Sequence, residues 1–242
     1  MDTKAKPTEL TGNKLISALP KDVQARLAPD IKRVVLPLGE VLYEAGDLVR
    51  HVYFPIDCII SRLYIMESGA SAEIAVVGNE GVLGVSLFMG GEKTPNRAVV
   101  QHAGHAYKLS GKRLKEEFDT YGALMMLLLR YTQSLMTQMS QTAVCNRHHS
   151  IDQQLCRWIL LSLDRLPGNQ VRMTHELIAN MLGVRREGVS SAASKLQKNG
   201  VIKYSRGCIT VIDRPKLEEI CCECYWVVKK ETDRLLRYNP KN

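Results

Sequence analysis

The chain has 242 residues, of which 45% are hydrophobic and 24% charged, so it has material for one large or two ordinary globular domains. Its longest uncharged apolar run, Ala123 to Leu129, ends at Arg130 and is too short to span a bilayer, and the opening MDTKAKPTEL has no signal-peptide core, so a cytoplasmic protein without membrane association is expected. The formal net charge of +8 is unevenly spread: residues 1–145 carry 16 basic and 15 acidic side chains, residues 146–242 carry 17 and 10. Seven cysteines, an odd number and widely spaced, argue against a disulfide framework.

Residues 1 to about 7 read as a loose tail. Apolar spacing predicts two short helices, Thr8 to Leu19 and Lys21 to Ala28, separated by Pro20. From Ile31 to about residue 109 the texture changes to short β-branched and aromatic runs (IKRVVLPL, HVYFPI, CIISRLYIM, AEIAVV, RAVVQHA) broken by glycine turns, the pattern of an antiparallel roll or jelly roll of sensor size. A short helix follows Ser110, and a long one runs from about Tyr121 to Val144. Within the long helix Met125, Leu128, Thr132, Leu135, Met139 and Thr142 alternate at spacings of three and four, which predicts a two-stranded dimer seam, the alternative being a helix packed on its own roll. A second stripe through Leu124, Leu127, Tyr131 and Met136 is available to face the roll. A further amphipathic helix spans Ser150 to Leu163 and is broken by Pro167-Gly168-Asn169.

The stretch from Val171 to Ile212 carries the clearest functional pattern. Thr174 is placed to cap a helix to Leu182 with Leu177, Ile178, Met181 and Leu182 on one face, and Gly183 fits a left-handed turn. A second helix reaches about Lys198 with Val189, Ala192, Ala193 and Leu196 inward. Two strands, Val201 to Tyr204 and Cys208 to Ile212, then flank Ser205-Arg206-Gly207 as a hairpin wing. From Arg185 to Arg206 there are six basic residues against one acid, an excess that suits a phosphate backbone. The expected fold class is therefore α+β: N-terminal helices (1–30), a β-roll sensor domain (31–119), a long dimerisation helix and hinge (120–149), and a winged helix-turn-helix domain with a C-terminal helix (150–242).

In this order of parts, and at MTHELIANMLGVRREGVSSAASKLQKNGVI, GEVLYEAGDLVRHVYF and EGVLGVSLFMGG, the chain resembles the Crp/Fnr family of bacterial transcription regulators. The resemblance implies a homodimer that reads a two-fold-related site on double-stranded DNA through the second helix and acts near RNA polymerase. Arg186 and Glu187 match the two base-reading positions, suited to guanine and cytosine edges. Ser191 stands at the third, where an arginine is common. Arg185 replaces a small capping residue, at a cost of about 1 kcal/mol. Thr174, His175, Ser190, Lys195 and Arg206 match backbone-contact positions. The cyclic-nucleotide cassette departs from the family pattern: Gly84-Val85-Ser86 lacks the ribose-binding acid, and Asn96 and Arg97 stand where an Arg-Ser pair holds the cyclic phosphate. Cyclic AMP is accordingly not expected as ligand, and the effector, if a small molecule serves as one, is left open.

No metal site is expected. Cys145, His148, His149 and Cys156 read as incidental residues of a joint between helices, and Cys221, Cys222 and Cys224 as cysteines pointing in different directions on a C-terminal helix; redox sensing by that group or by Cys208 stays open. The family's N-terminal iron-sulfur cysteines have no counterpart before Cys58. No P-loop, G-x-S-x-G, zinc-protease or dinucleotide motif appears, so an enzyme is not expected. The competing reading is a dimeric sensor or scaffold whose winged domain binds protein.

Overall fold

A computed structural model describes residues 3–4 and 10–237. Most of the tail and the start of the first expected helix lie outside the described residues. That helix is only α1 (Lys14–Ser17), because Asn13 closes it from the front: its side-chain oxygen accepts from the Leu15 and Ile16 amides while its amide nitrogen donates to the Pro55 and Gly81 carbonyls at 2.9 Å. Helix α2 (Lys21–Leu27) follows Pro20.

The roll is two four-stranded antiparallel sheets. One has the order β1-β2-β8-β4, from Thr3–Lys4, Lys32–Leu36, Gly104–Ser110 and His51–Pro55; the other has β3-β7-β5-β6, from Val41–Tyr43, Arg97–His102, Ile59–Ile65 and Ser71–Val77. Val34, Tyr53, Ile60, Val77, Val100 and Ala106, drawn from both sheets, meet in its interior. Strand alternation delivers these side chains to one face. Helix α3 (Gly111–Phe118), capped by Ser110, leads to the 26-residue α4 (Ala123–His148).

Helix α4 has three faces. Leu124, Leu127, Leu128, Tyr131 and Leu135 join Val52, Phe54, Ala75 and Val82 of the roll in one core. Gln138 completes the link: its side-chain oxygen accepts from the Val76 amide at 2.7 Å and its nitrogen donates to the Val76 carbonyl at 3.3 Å, covering the edge strand β6. A second face carries α9 (Glu223–Leu236), which lies antiparallel to it, with Ser134 bonded to Thr232 at one end and Cys145 meeting Cys222 at the other. The third face is exposed: Met126, Leu129, Gln133, Met136, Ser140 and Ala143.

Several residues of the expected dimer seam are occupied within the chain itself. Leu128, Thr132 and Leu135 are buried within the chain, Met139 packs against the same core, Met125 is half-buried, and Thr142 donates to Gln138 and accepts from Arg157. Two stripes one residue apart have identical three-four spacing and differ by about 100° around the helix, so spacing alone could not say which one the roll covers. Met136, expected to face the roll, is instead 58% exposed.

Helix α5 (Ile151–Leu163) opens with a reciprocal capping box between Ser150 and Gln153 and is buried continuously from Gln154 to Leu163. It is the spine of the C-terminal part. Leu155, Trp158, Ile159 and Leu163 pack with α6 (His175–Leu182), α7 (Arg186–Lys198) and the sheet β10-β11-β9, built from Ile202–Ser205, Cys208–Val211 and Gln170–Arg172. The same core includes Leu63 of the roll, with Val99 packed against it, and Leu166 meets Ile59 and Val76 of the roll in a smaller cluster, so the two parts share apolar contacts. Helix α8 (Arg214–Ile220), capped by Asp213, leads into α9. Among the described residues no helix is long and apolar enough to cross a membrane.

Candidate nucleic-acid interface

Thr174 caps α6 as the sequence predicts, accepting from the Leu177 amide at 3.3 Å. Gly183 ends the helix with φ +67°, the left-handed conformation that a side chain disfavours. The buried face of α6 is Ile178, Ala179, Met181 and Leu182; Leu177, expected inward, is 42% exposed. Ala179, 2% exposed, is part of the core in its place. Arg185 precedes α7 with no side-chain cap bond, and Val189, Ala192, Ala193 and Leu196 face the core.

The outward face of α7 presents Arg185, Arg186, Glu187, Ser191 and Lys195, all exposed. Arg186 approaches Glu176 of α6 at 3.9 Å, an exposed pair that holds it only weakly. Lys195 is engaged, donating to Asp152 of α5 at 2.9 Å. His175 and Ser190 turn toward each other, with Nδ1 and Oγ 3.0 Å apart, and the His175 ring stacks on Tyr204 of the wing. Burial, and secondarily the Arg186 charge, hold the His175 pKa below its ordinary 6.5. These two residues brace α6, α7 and β10. Gln197 adds a second brace, accepting from the Tyr204 amide at 2.7 Å. Neither Tyr204 nor Gln197 was singled out from sequence, although an aromatic in the first wing strand was a usable signal.

At the wing tip Arg206 and Gly207 have φ +48° and +72°, and Ser205 pairs with Cys208, a two-residue turn whose twist matches the strands it joins. The arginine is exposed there.

The sensor residues Gly84, Val85, Ser86 and Asn96 line one cavity together with Tyr43, Arg62 and Thr94, but its volume is about 40 Å³. Small-molecule pockets are usually several hundred Å³. Arg62 of β5, which the sequence reading passed over, fills the polar side by donating to the Asn96 side-chain oxygen at 2.9 Å, and burial lowers its pKa. Arg97 does not line the cavity; it reaches Glu44 at 3.3 Å. A larger cleft of about 260 Å³ lies between α5, α9 and the N-terminal helices, lined by Lys14, Glu80, Arg165, Lys229 and Arg237 among others. The Arg165–Glu80 pair at 2.7 Å anchors its floor.

Residues 33–121 match the cyclic nucleotide-binding domain, and residues 153–220 match the Crp-like helix-turn-helix domain. The two matches flank the long helix in the order that the geometry displays. The chain belongs to the Crp/Fnr family. Among solved structures, FixK2 from Bradyrhizobium japonicum has a TM-score of 0.68 at 16% identity, covering 79% of this chain and 98% of that one. A CRP-family transcriptional regulator from Thermus thermophilus has a TM-score of 0.64 at 18% identity, covering 78% and 95%. The c-di-GMP responsive regulator CLP of Xanthomonas campestris has 0.63 at 16%, covering 79% and 99%. Identities this low speak to the shared fold and leave ligand and operator to the residues of this chain. No curated protein matches it.

This Crp/Fnr regulator also departs from the expectation that its histidines and cysteines are scattered. Cys145 and His149, at the end of α4, meet Cys222 and Cys224, at the start of α9, with their ligand atoms all within 4.8 Å of one another. His148 is exposed and Cys156 lies outside the group. The antiparallel packing of α9 on α4 makes this convergence, and helical periodicity within either segment could not foretell it.

Proposed function

We propose that the protein is a dimeric, sequence-specific regulator of transcription that enters the major groove of double-stranded DNA with α7 and grips the flanking phosphates with its wing. The observation that carries this reading is that Arg186 and Glu187 are both exposed in the first turn of α7, while the wing, with Arg206 exposed at its tip, is braced to α6 and α7 through Tyr204. An arginine there suits the O6 and N7 of guanine, and a glutamate accepts from cytosine N4. Arg185, Thr174 and Arg206 are placed for phosphates; Lys195 would have to leave Asp152 to join them. His175 and Ser190 support the reader by bracing it. Ser191 leaves a weak third position, so a half-site with one strongly read G·C step is expected. RNA polymerase is the further partner that the family membership suggests.

Selection of binding sites from random duplexes by the purified protein, followed by titration of the selected site, tests this directly. Tight binding that weakens steeply with salt and is reduced in Arg186→Ala is the expected outcome. No selected duplex at all would favour a protein partner for the winged domain instead.

The sensor cassette is proposed not to take cyclic AMP. Val85 offers no acceptor for a ribose hydroxyl, Asn96 is already engaged by Arg62, and about 40 Å³ does not admit a nucleotide without opening. Calorimetric titration showing micromolar binding of cyclic AMP would overturn this.

A further inference from the structure

We infer that Cys145, His149, Cys222 and Cys224 form a tetrahedral Cys3His site for a single thiophilic divalent metal ion, zinc being the best fit, which pins the end of α4 to the start of α9. The geometry is that of a nearly closed coordination shell. Cys145 Sγ lies 3.6 Å from Cys222 Sγ, and Cys224 Sγ lies 3.6 Å from His149 Nδ1. A tetrahedron with zinc-sulfur bonds of about 2.3 Å and a zinc-nitrogen bond of about 2.1 Å has S–S edges of about 3.8 Å and S–N edges of about 3.6 Å. Both measured edges fall near these values, and the remaining ligand separations stay within 4.8 Å. Shortening the longest of these separations by up to about 1 Å would complete the shell. An ordinary thiol cluster has no reason to place an imidazole nitrogen at the fourth corner.

The second observation is the orientation of His149. Its Nε2 lies 3.2 Å from the Glu223 carboxylate, so the ring proton belongs on Nε2 and the lone pair of Nδ1 points at the sulfurs. A carboxylate behind a histidine is the arrangement that fixes tautomer and raises basicity in metal ligands. Glu223 stands between two of the cysteine ligands, and its side chain is 74% exposed, so nothing in the packing of the core calls for it.

Charge and burial agree. The three thiols are buried, with Cys145, Cys222 and Cys224 at most 2% exposed. Binding would release three S–H protons to solvent and leave Zn²⁺ with three thiolates, a net charge of −1. Arg157, 5% exposed and donating to Thr142 at 2.7 Å, extends its positive charge to Cys145 and Cys224. All four coordination positions are filled by protein, which makes this a structural site with no open position for substrate.

The position gives the site a consequence for the regulator. His149 is the C-cap of α4 and is followed by Ser150, the cap of α5, which carries the winged domain, and α9 is the final element of that domain. A metal bound here closes a loop through the hinge, so metal loading would hold the reader at a fixed angle to the long helix. Cys221, adjacent but outside the ligand set, and Cys58 and Cys208, elsewhere, provide internal controls.

The test uses the full-length chain without a histidine tag, purified anaerobically under reducing conditions. Elemental analysis should find about one zinc per chain. Replacement by cobalt should give the visible absorption of a tetrahedral ion together with a thiolate charge-transfer band. Cys221→Ser, Cys58→Ser and Cys208→Ser should keep both, and His149→Ala should lower affinity at least tenfold. Because Cys222→Ser could simply fail to fold, His149→Cys supplies a gain-of-signal arm: it should retain the metal and shift the cobalt spectrum toward four thiolates. Absence of metal with no cobalt spectrum would overturn the site, as would iron with acid-labile sulfide in place of zinc, or a cobalt spectrum indifferent to His149→Cys.

Discussion

The imidazole of His175 lies on the phenol ring of Tyr204, centroids 4.0 Å apart and planes inclined by 22°, so the first helix of the helix-turn-helix and the wing are joined by one aromatic stack. Ser190 of the recognition helix bonds the same ring, and the three elements thereby move together. Aromatic pairs of this kind contribute about 1 kcal/mol beyond their burial. His175→Ala should lower duplex affinity severalfold without changing which site is selected, since it loosens the mount and leaves Arg186 in place. A change in the selected sequence would show that His175 itself contacts bases. The pH dependence has a definite sign. The folded-state pKa lies below the ordinary 6.5, so the neutral ring is favoured by folding; the stabilisation is present above pH 6.5 and is lost as pH falls through the lower folded value. Thermal unfolding of the protein at pH 5.5 and pH 7.5 should therefore show a stability loss on acidification that His175→Gln reduces.

Glu73 supplies a dependence of opposite sign. It is buried on β6 beneath the winged domain, accepts from Ser61 at 2.5 Å, and is pushed up to about 7 mainly by burial, which outweighs the attraction of Arg157 and Arg165. A carboxyl with a raised folded pKa favours the protonated state, so stability is greatest below the unfolded value of 4.5 and declines as pH rises toward 7. The shift corresponds to about 3 kcal/mol. Glu73→Gln should remove most of this decline and be the more stable protein at pH 8 in urea titrations. Parallel curves for the two proteins from pH 5 to pH 8 would show that Glu73 is not strained by its site.

Gly183 is the residue on which the turn of the reader depends. Its φ of +67° costs an L side chain about 1 kcal/mol or more, and a Cβ there would stand 3.4 Å from Ala72 of the roll. Gly183→Ala should destabilise the protein by about 1–2 kcal/mol, with Gly183→Asn milder because asparagine tolerates this conformation. Equal effects of the two would place the cost in the contact with Ala72 instead of the backbone.

The parts of this architecture that were legible in the sequence are those specified by neighbours in the chain. Thr174 and Gly183 punctuate α6 locally, and the apolar spacing from Ser150 to Leu163 marks α5. The parts that were not legible depend on partners distant in sequence. Leu128 and Leu129 both satisfy a heptad, and only the roll decides that Leu128 is inside. Cys145 and Cys222 are 77 residues apart and meet because α9 returns along α4. Arg62 looked like an ordinary polar strand residue, yet the missing acid at Val85 and the amide at Asn96 leave it a place to turn inward.

Arg186 and Arg206 should differ in kind. A bidentate arginine–guanine contact is worth about 1–3 kcal/mol of discrimination, so Arg186→Ala should cost about 5- to 150-fold in affinity for the selected site and relax preference at one base pair. Arg206→Ala, removing a proposed phosphate contact, should weaken all duplexes alike and reduce the slope of log affinity against log salt by about 1. Fluorescence anisotropy over a salt series measures both. An unchanged salt slope in Arg206→Ala would remove the wing from the interface.

The oligomeric state distinguishes the two stripes of α4. If a second copy of the chain covers the exposed stripe, Met136 and Leu129 sit in the seam while Leu128 and Leu135 belong to the protomer's own core. Met136→Glu should then convert the dimer to a folded monomer in sedimentation analysis, because two buried carboxylates would face each other across the two-fold axis. Leu128→Ala should act differently, lowering protomer stability by about 2–5 kcal/mol through a cavity against the roll while leaving the association constant of the folded protein nearly unchanged. The reverse pattern, with Met136→Glu still dimeric and Leu128→Ala dissociated, would mean that the long helix turns its other face to the partner and that the roll must separate from α4 when the dimer forms.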